Sequence, residues 1–253
     1  LKAIKLNPKL FQAHSNLGNI LKELDKPEEA KACYLQALEL NPNLAEVHSN
    51  LGNVFKDLKK LQKAEASYLH ALELNPNLAE AHSNLGDIFK ELGRLQEAEA
   101  SCLKAIELNP NLAEAHNNLG VTYKELGRLQ EAEASCLKAI ELNPNLAEAH
   151  IGLGIILKEL NKLNEAKLSL EKAIKLKPDM LSAIDHMGDL MQMLDRFDDA
   201  EIYYKKYISI APTHNSLTKS MASRLLVQGK LEKDLSLYDS YGTPESRSRA
   251  IEC

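Results

Sequence analysis

Between Ala79 and Leu112 the small and apolar residues fall into two stripes. Ala81, Leu85, Gly86, Ile88, Phe89 and Leu92 recur at helical spacing, and so do Leu95, Ala98, Cys102, Ala105 and Ile106. Each set lines one side of an α-helix, with polar residues opposite. Gly93 stands between the stripes, and glycine tolerates the left-handed backbone on which helices end. The second stripe stops at Asn109-Pro110, because proline disfavours a helical residue before it. The spacing predicts a short helix, a tight turn, a second helix and a second turn, with the short connections making the pair antiparallel.

The same pattern recurs along nearly the whole chain of 253 residues. Pro8, Pro42, Pro76, Pro110, Pro144, Pro178 and Pro212 lie thirty-four residues apart, so the chain is a tandem array. Numbering positions from Ala79 as one, the helix-stopping position 15 also carries Asp25, Lys59, Gly127, Asn161, Asp195 and Gly229. Position 8 is Gly18, Gly52, Gly86, Gly120, Gly154 and Gly188, and position 20 is Ala30, Ala64, Ala98, Ala132, Ala166 and Ala200. Mid-helix glycine costs roughly 1 kcal/mol relative to alanine, so six in register mark places where a neighbouring helix packs on bare backbone. Full copies are expected at 11–44, 45–78, 79–112, 113–146, 147–180 and 181–214. Residues 1–10 read as the tail of an earlier copy and 215–241 as a degraded seventh, with Ala222 in place of glycine and Asp234 in place of alanine. Thr243-Pro244 reads as the start of a further helix over 242–253. The chain thus reads as a piece of a longer protein.

Composition removes several function classes. A formal charge of −5 leaves no basic footprint, so nucleic acid is not an expected partner. No run of eighteen apolar residues is present, so no membrane span is expected. Cys102 and Cys136 occupy position 24, where sister copies carry Tyr34, Tyr68 and Tyr204. They are expected as small core residues of a reducing, cytoplasmic compartment.

Leu-Gly at positions 7 and 8, a large apolar residue at 11, Ala at 20 and 27 and Pro at 32 together resemble the tetratricopeptide repeat family. The likeness covers residues 1 to about 235. It implies an all-α, right-handed superhelical α-solenoid of antiparallel helix pairs. It further implies a concave side lined by the first helix of each pair, which binds peptides or protein segments and performs no chemistry.

The helical wheel points to the same surface, because positions 2, 5, 6, 9, 12 and 13 lie opposite the apolar stripe of the first helix. Position 6 is Asn16, Asn50, Asn84 and Asn118, and position 9 is Asn19, Asn53 and Asp87. Stacked about 10 Å apart, these side chains form a ladder whose amides offer donors and acceptors to an extended peptide. The alternative is that they are merely solvated, or bond a neighbouring repeat. The row resembles the asparagine ladder of O-linked N-acetylglucosamine transferases at those four position-6 residues, and departs from it at Gly152 and His186. Towards the C-terminus Val121, Ile151, Ile155 and Met193 replace polar residues on this face. They are expected to anchor an apolar part of the partner, or else to pack first helices together.

Glutamates at position 2 (Glu46, Glu80, Glu114, Glu148) disfavour an acidic tail as ligand. Lysines at position 12 (Lys22, Lys56, Lys90, Lys124, Lys158) are expected to pair with glutamates on their own helix. His14, His48, His82, His116 and His150 fill position 4. Rows about 10 Å apart cannot share an ion whose bonds are about 2 Å, so these are expected as partly buried packing residues. No nucleophile has a base and an orienting partner beside it, and phosphate loops are absent. The expected function is a non-catalytic scaffold for a peptide or protein segment, with no cofactor and no metal, acting as a monomer or associating end to end. The alternative is the substrate-recruiting region of a larger enzyme such as a glycosyltransferase.

Overall fold

Residues 7–211 are described by the computed structural model, and there the chain forms twelve α-helices and no strand. They come in pairs: α1 Phe11–Glu23 with α2 Pro27–Leu40, α3 Ala45–Asp57 with α4 Leu61–Leu74, and α5 Ala79–Glu91 with α6 Leu95–Leu108. Then follow α7 Ala113–Glu125 with α8 Leu129–Leu142, α9 Ala147–Glu159 with α10 Leu163–Leu176, and α11 Leu181–Met193 with α12 Phe197–Ile210. The degraded copy expected at 215–241 and the helix start at 242–253 lie outside the described residues. So does most of the N-terminal tail.

Every first helix ends as its sequence anticipates. Asp25, Lys59, Gly93, Gly127, Asn161 and Asp195 all have φ between 55° and 75°. The next N–H reaches back to close the last turn, as in Lys26 to the Leu21 carbonyl (2.9 Å) and Arg94 to that of Phe89 (2.8 Å). This is a Schellman ending, which satisfies carbonyls the helix leaves over.

The turn into each next pair is held differently. Leu10, Leu44, Leu78 and Leu112 stand at the N-caps and offer no capping oxygen. Instead the Asn41 Oδ1 accepts the Asn43 N–H at 3.1 Å, and Asn75, Asn109 and Asn143 repeat the bond. The position-4 histidines complete the turn. His14, His48, His82, His116 and His150 donate through Nε2 to the carbonyls of Pro8, Pro42, Pro76, Pro110 and Pro144, at 2.8 to 3.0 Å. A carbonyl only accepts, so Nε2 carries the proton. The histidine row is a set of turn clasps.

Two compact units divide the chain, Leu1–Gly152 and Leu153–Cys253, with the division inside α9. In the first unit the core is a seam of buried alanines (Ala30, Ala37, Ala64, Ala71, Ala98, Ala105) between larger residues such as Leu51, Val54, Leu85 and Ile88. The position-24 side chain lies on the position-8 glycine of its own copy: Tyr34 on Gly18, Tyr68 on Gly52, Cys102 on Gly86 and Cys136 on Gly120. Arginines at position 16 stitch successive copies. Arg94 stacks 4.3 Å from the Phe89 ring centre, grips Glu97 of its own helix, and reaches Glu65 of the preceding copy at 2.6 Å. Arg128 repeats this with Tyr123, Glu131 and Glu99. Bidentate, stacked guanidinium contacts of this kind are beyond lysine.

In the second unit Leu170 lies on Gly154 and Tyr204 on Gly188, and Ala166, Ala173, Ala183, Ile184, Met187 and Leu190 are fully buried. Each unit is by itself a solenoid of helix pairs.

Candidate functional site

The first helices of the first unit, α1, α3, α5 and α7, carry the polar row. Asn16 and Asn19 are exposed, and Asn50, Asn53, Asn84 and Asn118 are half-buried. The amides bond from copy to copy. Asn50 donates through Nδ2 to the Asn19 Oδ1 (3.2 Å), and Asn84 does the same to Asn53 (3.0 Å). Asn118 instead donates to the carbonyl and hydroxyl oxygens of Ser83, both at 3.2 Å. Each position-9 oxygen takes a second donor from behind, the Tyr34 hydroxyl at Asn19 (2.7 Å) and the Tyr68 hydroxyl at Asn53 (2.6 Å). Part of the row's hydrogen-bonding capacity therefore joins repeats together, while the remaining amide atoms stay open to solvent.

The partner of each position-9 residue is legible once the packing is known. Where position 24 is tyrosine, position 9 can accept a hydrogen bond: Asn19, Asn53 and, in the second unit, Asp189, which takes the Tyr204 hydroxyl at 3.2 Å. Where position 24 is Cys136 or Leu170, position 9 is the apolar Val121 or Ile155, whereas opposite Cys102 it remains an acceptor, Asp87. A buried hydroxyl requires an acceptor, so each position-24 tyrosine is matched by Asn or Asp at position 9, although an acceptor there does not by itself imply a tyrosine. That matching was the signal in the sequence that could have found this pairing.

Asp87 is buried, at 8 % exposure, and contacts the ammonium groups of Lys56 and Lys90, the latter at 2.5 Å. Lysine pairing is thus corrected in part: Lys56 and Lys90 meet the position-9 aspartate and Lys158 lies 3.8 Å from Asp189, whereas Lys124 takes Glu125 of its own helix, as expected. Burial pushes the Asp87 carboxyl up, but Lys90 and Lys56 outweigh it and hold it below the ordinary carboxylate value. The folded pKa lies below the unfolded one, so this stabilisation is complete above about pH 4. It is lost as pH falls through the folded value. Thermal midpoints followed from pH 6 to pH 2.5 are expected to fall more steeply for the parent than for Asp87→Asn; parallel curves would contradict the coupling.

The apolar residues of this face separate on inspection. Ile151 is only 7 % exposed, which corrects its expected place as an open anchor. Val121 is half-buried, with its Cγ2 3.7 Å from where a Gly152 side chain would begin. In the second unit Ile155 is half-buried and Met193 is 49 % exposed.

Burial raises the thiols of Cys102 and Cys136 to about 12, so neither is a thiolate nucleophile at neutral pH. Among the described residues no three His, Cys, Asp or Glu side chains cluster as a metal site, and no helix is long and apolar enough to cross a membrane.

Family models described as tetratricopeptide repeat match residues 1–32, 113–146 and 135–167, and one described as TPR repeat matches 18–59, 52–93 and 86–127. Together they cover 1–167. No curated protein matches the sequence. Among solved structures, that of PilF from Pseudomonas aeruginosa is 22 % identical with a TM-score of 0.67, over 85 % of this chain and 97 % of that one. The APC/C hetero-tetramer Cut9–Hcn1 is 16 % identical with a TM-score of 0.83, over 88 % of this chain and 44 % of that one. At these identities the likeness is one of fold. YrrB, described as a TPR protein with an unusual peptide-binding site, is 25 % identical with a TM-score of 0.52, over 76 % of this chain and 98 % of that one.

Proposed function

The chain belongs to the tetratricopeptide repeat family, and on that premise we propose that it is a non-catalytic scaffold holding a peptide or protein segment against its first helices. One observation carries this reading. Asn16, Asn19, Asn50, Asn53, Asn84 and Asn118 recur in register on one face of the first unit, with amide atoms open to solvent. Regular polar rungs match the repeat of an extended main chain better than the shape of a small molecule. YrrB, a structural neighbour described as peptide-binding, supports the class of ligand. Met193 is the exposed apolar residue of the second unit's first helices on which a partner's side chain would rest. The buried thiols suit a reducing, cytoplasmic setting.

A second reading draws on the same four position-6 asparagines, which resemble those of O-linked N-acetylglucosamine transferases. On it, the array recruits protein substrates for an enzyme of which it forms part.

An array of arbitrary fifteen-residue peptides tests the groove. The combined Asn16→Ala, Asn50→Ala, Asn84→Ala and Asn118→Ala variant is expected to lose at least about tenfold in affinity towards peptides that bind the parent. Its unfolding midpoint should also fall, because three of these amides bridge repeats at about 0.5–1.5 kcal/mol each. Unchanged peptide binding by a folded variant would remove the proposed surface.

A further inference from the structure

Position 25 is leucine in every full copy of the first unit, and each of these leucines lies open to solvent. Leu35, Leu69, Leu103 and Leu137, on α2, α4, α6 and α8, are 42 to 49 % exposed. One turn earlier on the same helices position 22 is Ala32, Ala66, Ala100 and Ala134, also exposed. Residues three apart are neighbours on a helix surface, so each second helix shows an alanine beside a leucine. Folding does not require this leucine. The fifth and sixth copies form the same helix pairs with Glu171 and Lys205 at position 25. Single exposed apolar side chains are ordinary, whereas four in register make a row, and apolar surface rimmed by polar groups marks interaction sites.

Acids run beside the leucines. Position 29, one turn further along each helix, is Glu39, Glu73, Glu107 and Glu141, all exposed. Each is met from its own helix: Gln36 donates to Glu39 at 2.9 Å, His70 to Glu73 at 2.9 Å, Lys104 to Glu107 at 3.0 Å and Lys138 to Glu141 at 2.9 Å. Exposed contacts of this kind are worth little, and each carboxylate keeps lone pairs for another donor. Lys104 and Lys138 are the only lysines among these four partners, so the row keeps a net negative charge. Two such faces laid together would set glutamate near glutamate, which disfavours a second copy of this chain and favours a cationic partner.

The row also has a length scale. Stacked helices lie about 10 Å apart. An α-helix rises 1.5 Å per residue, so every seventh residue returns to one side after about 10.5 Å. A helix laid across the second helices can therefore set one side chain on each leucine. An extended strand reaches that spacing only at every third residue, and those side chains point to opposite faces. The geometry points to a docking surface on the second helices of the first unit for a basic amphipathic helix. Its apolar residues, seven apart, lie on Leu35, Leu69, Leu103 and Leu137, and its lysines or arginines meet Glu39, Glu73, Glu107 and Glu141. This surface is separate from the first helices and does not depend on the function proposed for them.

The test uses a labelled four-heptad peptide with leucine at every seventh position, lysine on both flanks and alanine elsewhere. A control of the same composition has its leucines five apart, which scatters them around the helix. Fluorescence anisotropy is expected to show the parent binding the probe at least about tenfold more tightly than the control, the worth of covering two half-exposed leucines. A Leu69→Ser, Leu103→Ser variant is expected to lose that preference while keeping its unfolding midpoint, since both side chains are exposed. A Glu73→Lys, Glu107→Lys variant is expected to prefer a probe with glutamate in place of lysine. The four-asparagine variant described above is expected to bind the probe as the parent does. Equal binding of probe and control, or a preference that survives the serine variant, overturns the inference. So does loss of binding in the folded asparagine variant, which would put the probe on the first helices. Sedimentation of the parent alone completes the test: a dimer abolished by the serine variant would give the row to a second copy and overturn the basic helix as its occupant.

Discussion

Replacing Tyr68 by alanine is expected to lower stability by about 3–5 kcal/mol, the range found for deleting a large buried ring. The ring is fully buried and lies across the backbone of Gly52, whose missing side chain would begin 2.7 Å from its Cε1. No neighbour can move into the space, because the helices on either side are already spaced by Ala64 and Ala71, both fully buried. The hydroxyl adds a smaller share: Tyr68→Phe is expected to cost about 0.5–1.5 kcal/mol, since the Asn53 oxygen keeps its bond from Asn84. In an array each repeat leans on its neighbours, so the loss spreads to the copies on both sides. Urea denaturation followed by circular dichroism measures it. A cost below about 1 kcal/mol for Tyr68→Ala would mean that the seam collapses around the gap and that the ring is not its spacer. Cys102→Ala, at the same position, is expected to cost far less, because only one sulfur atom is removed.

The second large effect comes from adding a single methyl group. Gly120→Ala places a Cβ 2.6 Å from the Cys136 Sγ, 3.1 Å from the Ala132 carbonyl oxygen and 3.2 Å from the Cys136 nitrogen. Two of these three atoms are backbone, so relief requires the helices to part. Alanine gains roughly 1 kcal/mol of helix propensity over glycine, yet overpacking costs about 1–3 kcal/mol and outweighs it where main chain must shift. A net loss is expected, and it should shrink in a Cys136→Ala background, where the shortest contact is gone. That cycle is measured as four unfolding curves. Equal losses in both backgrounds would refute the contact as the cause. Gly127 provides the contrast: nothing lies within 4 Å of its missing side chain, and its φ of 75° alone opposes substitution.

Some of this was readable before any coordinates. The stripe from Ala81 to Leu92 and its sister from Leu95 to Ile106 gave α5 and α6 with their ends, and position 15 marked the left-handed stop even where it is Lys59. The position-8 glycines were rightly read as crossing points. Less was legible at the candidate site. The asparagines lie on the first helices as the wheel placed them, but the wheel is silent on which amide atoms neighbours use. Ile151 looked like a groove residue because it interrupts a polar position, whereas its side chain is buried. The histidine row invited packing or metal readings, and its bond to the proline carbonyl six residues earlier follows from the turn's curvature, which no periodicity encodes.

The chain alone determined the helices, their ends and the apolar seam, because those depend on spacings of three and four residues and on breakers beside them. Folding decided which polar atoms remain for a partner. Tyr68 meets Asn53 across 15 residues, Arg94 meets Glu65 across 29 and Asn84 meets Asn53 across 31. The first contact forms when the two helices of one pair fold together and the other two when one pair stacks on the next, and a hydrogen bond or ion pair exists only once that packing sets two groups within about 3 Å at a workable angle.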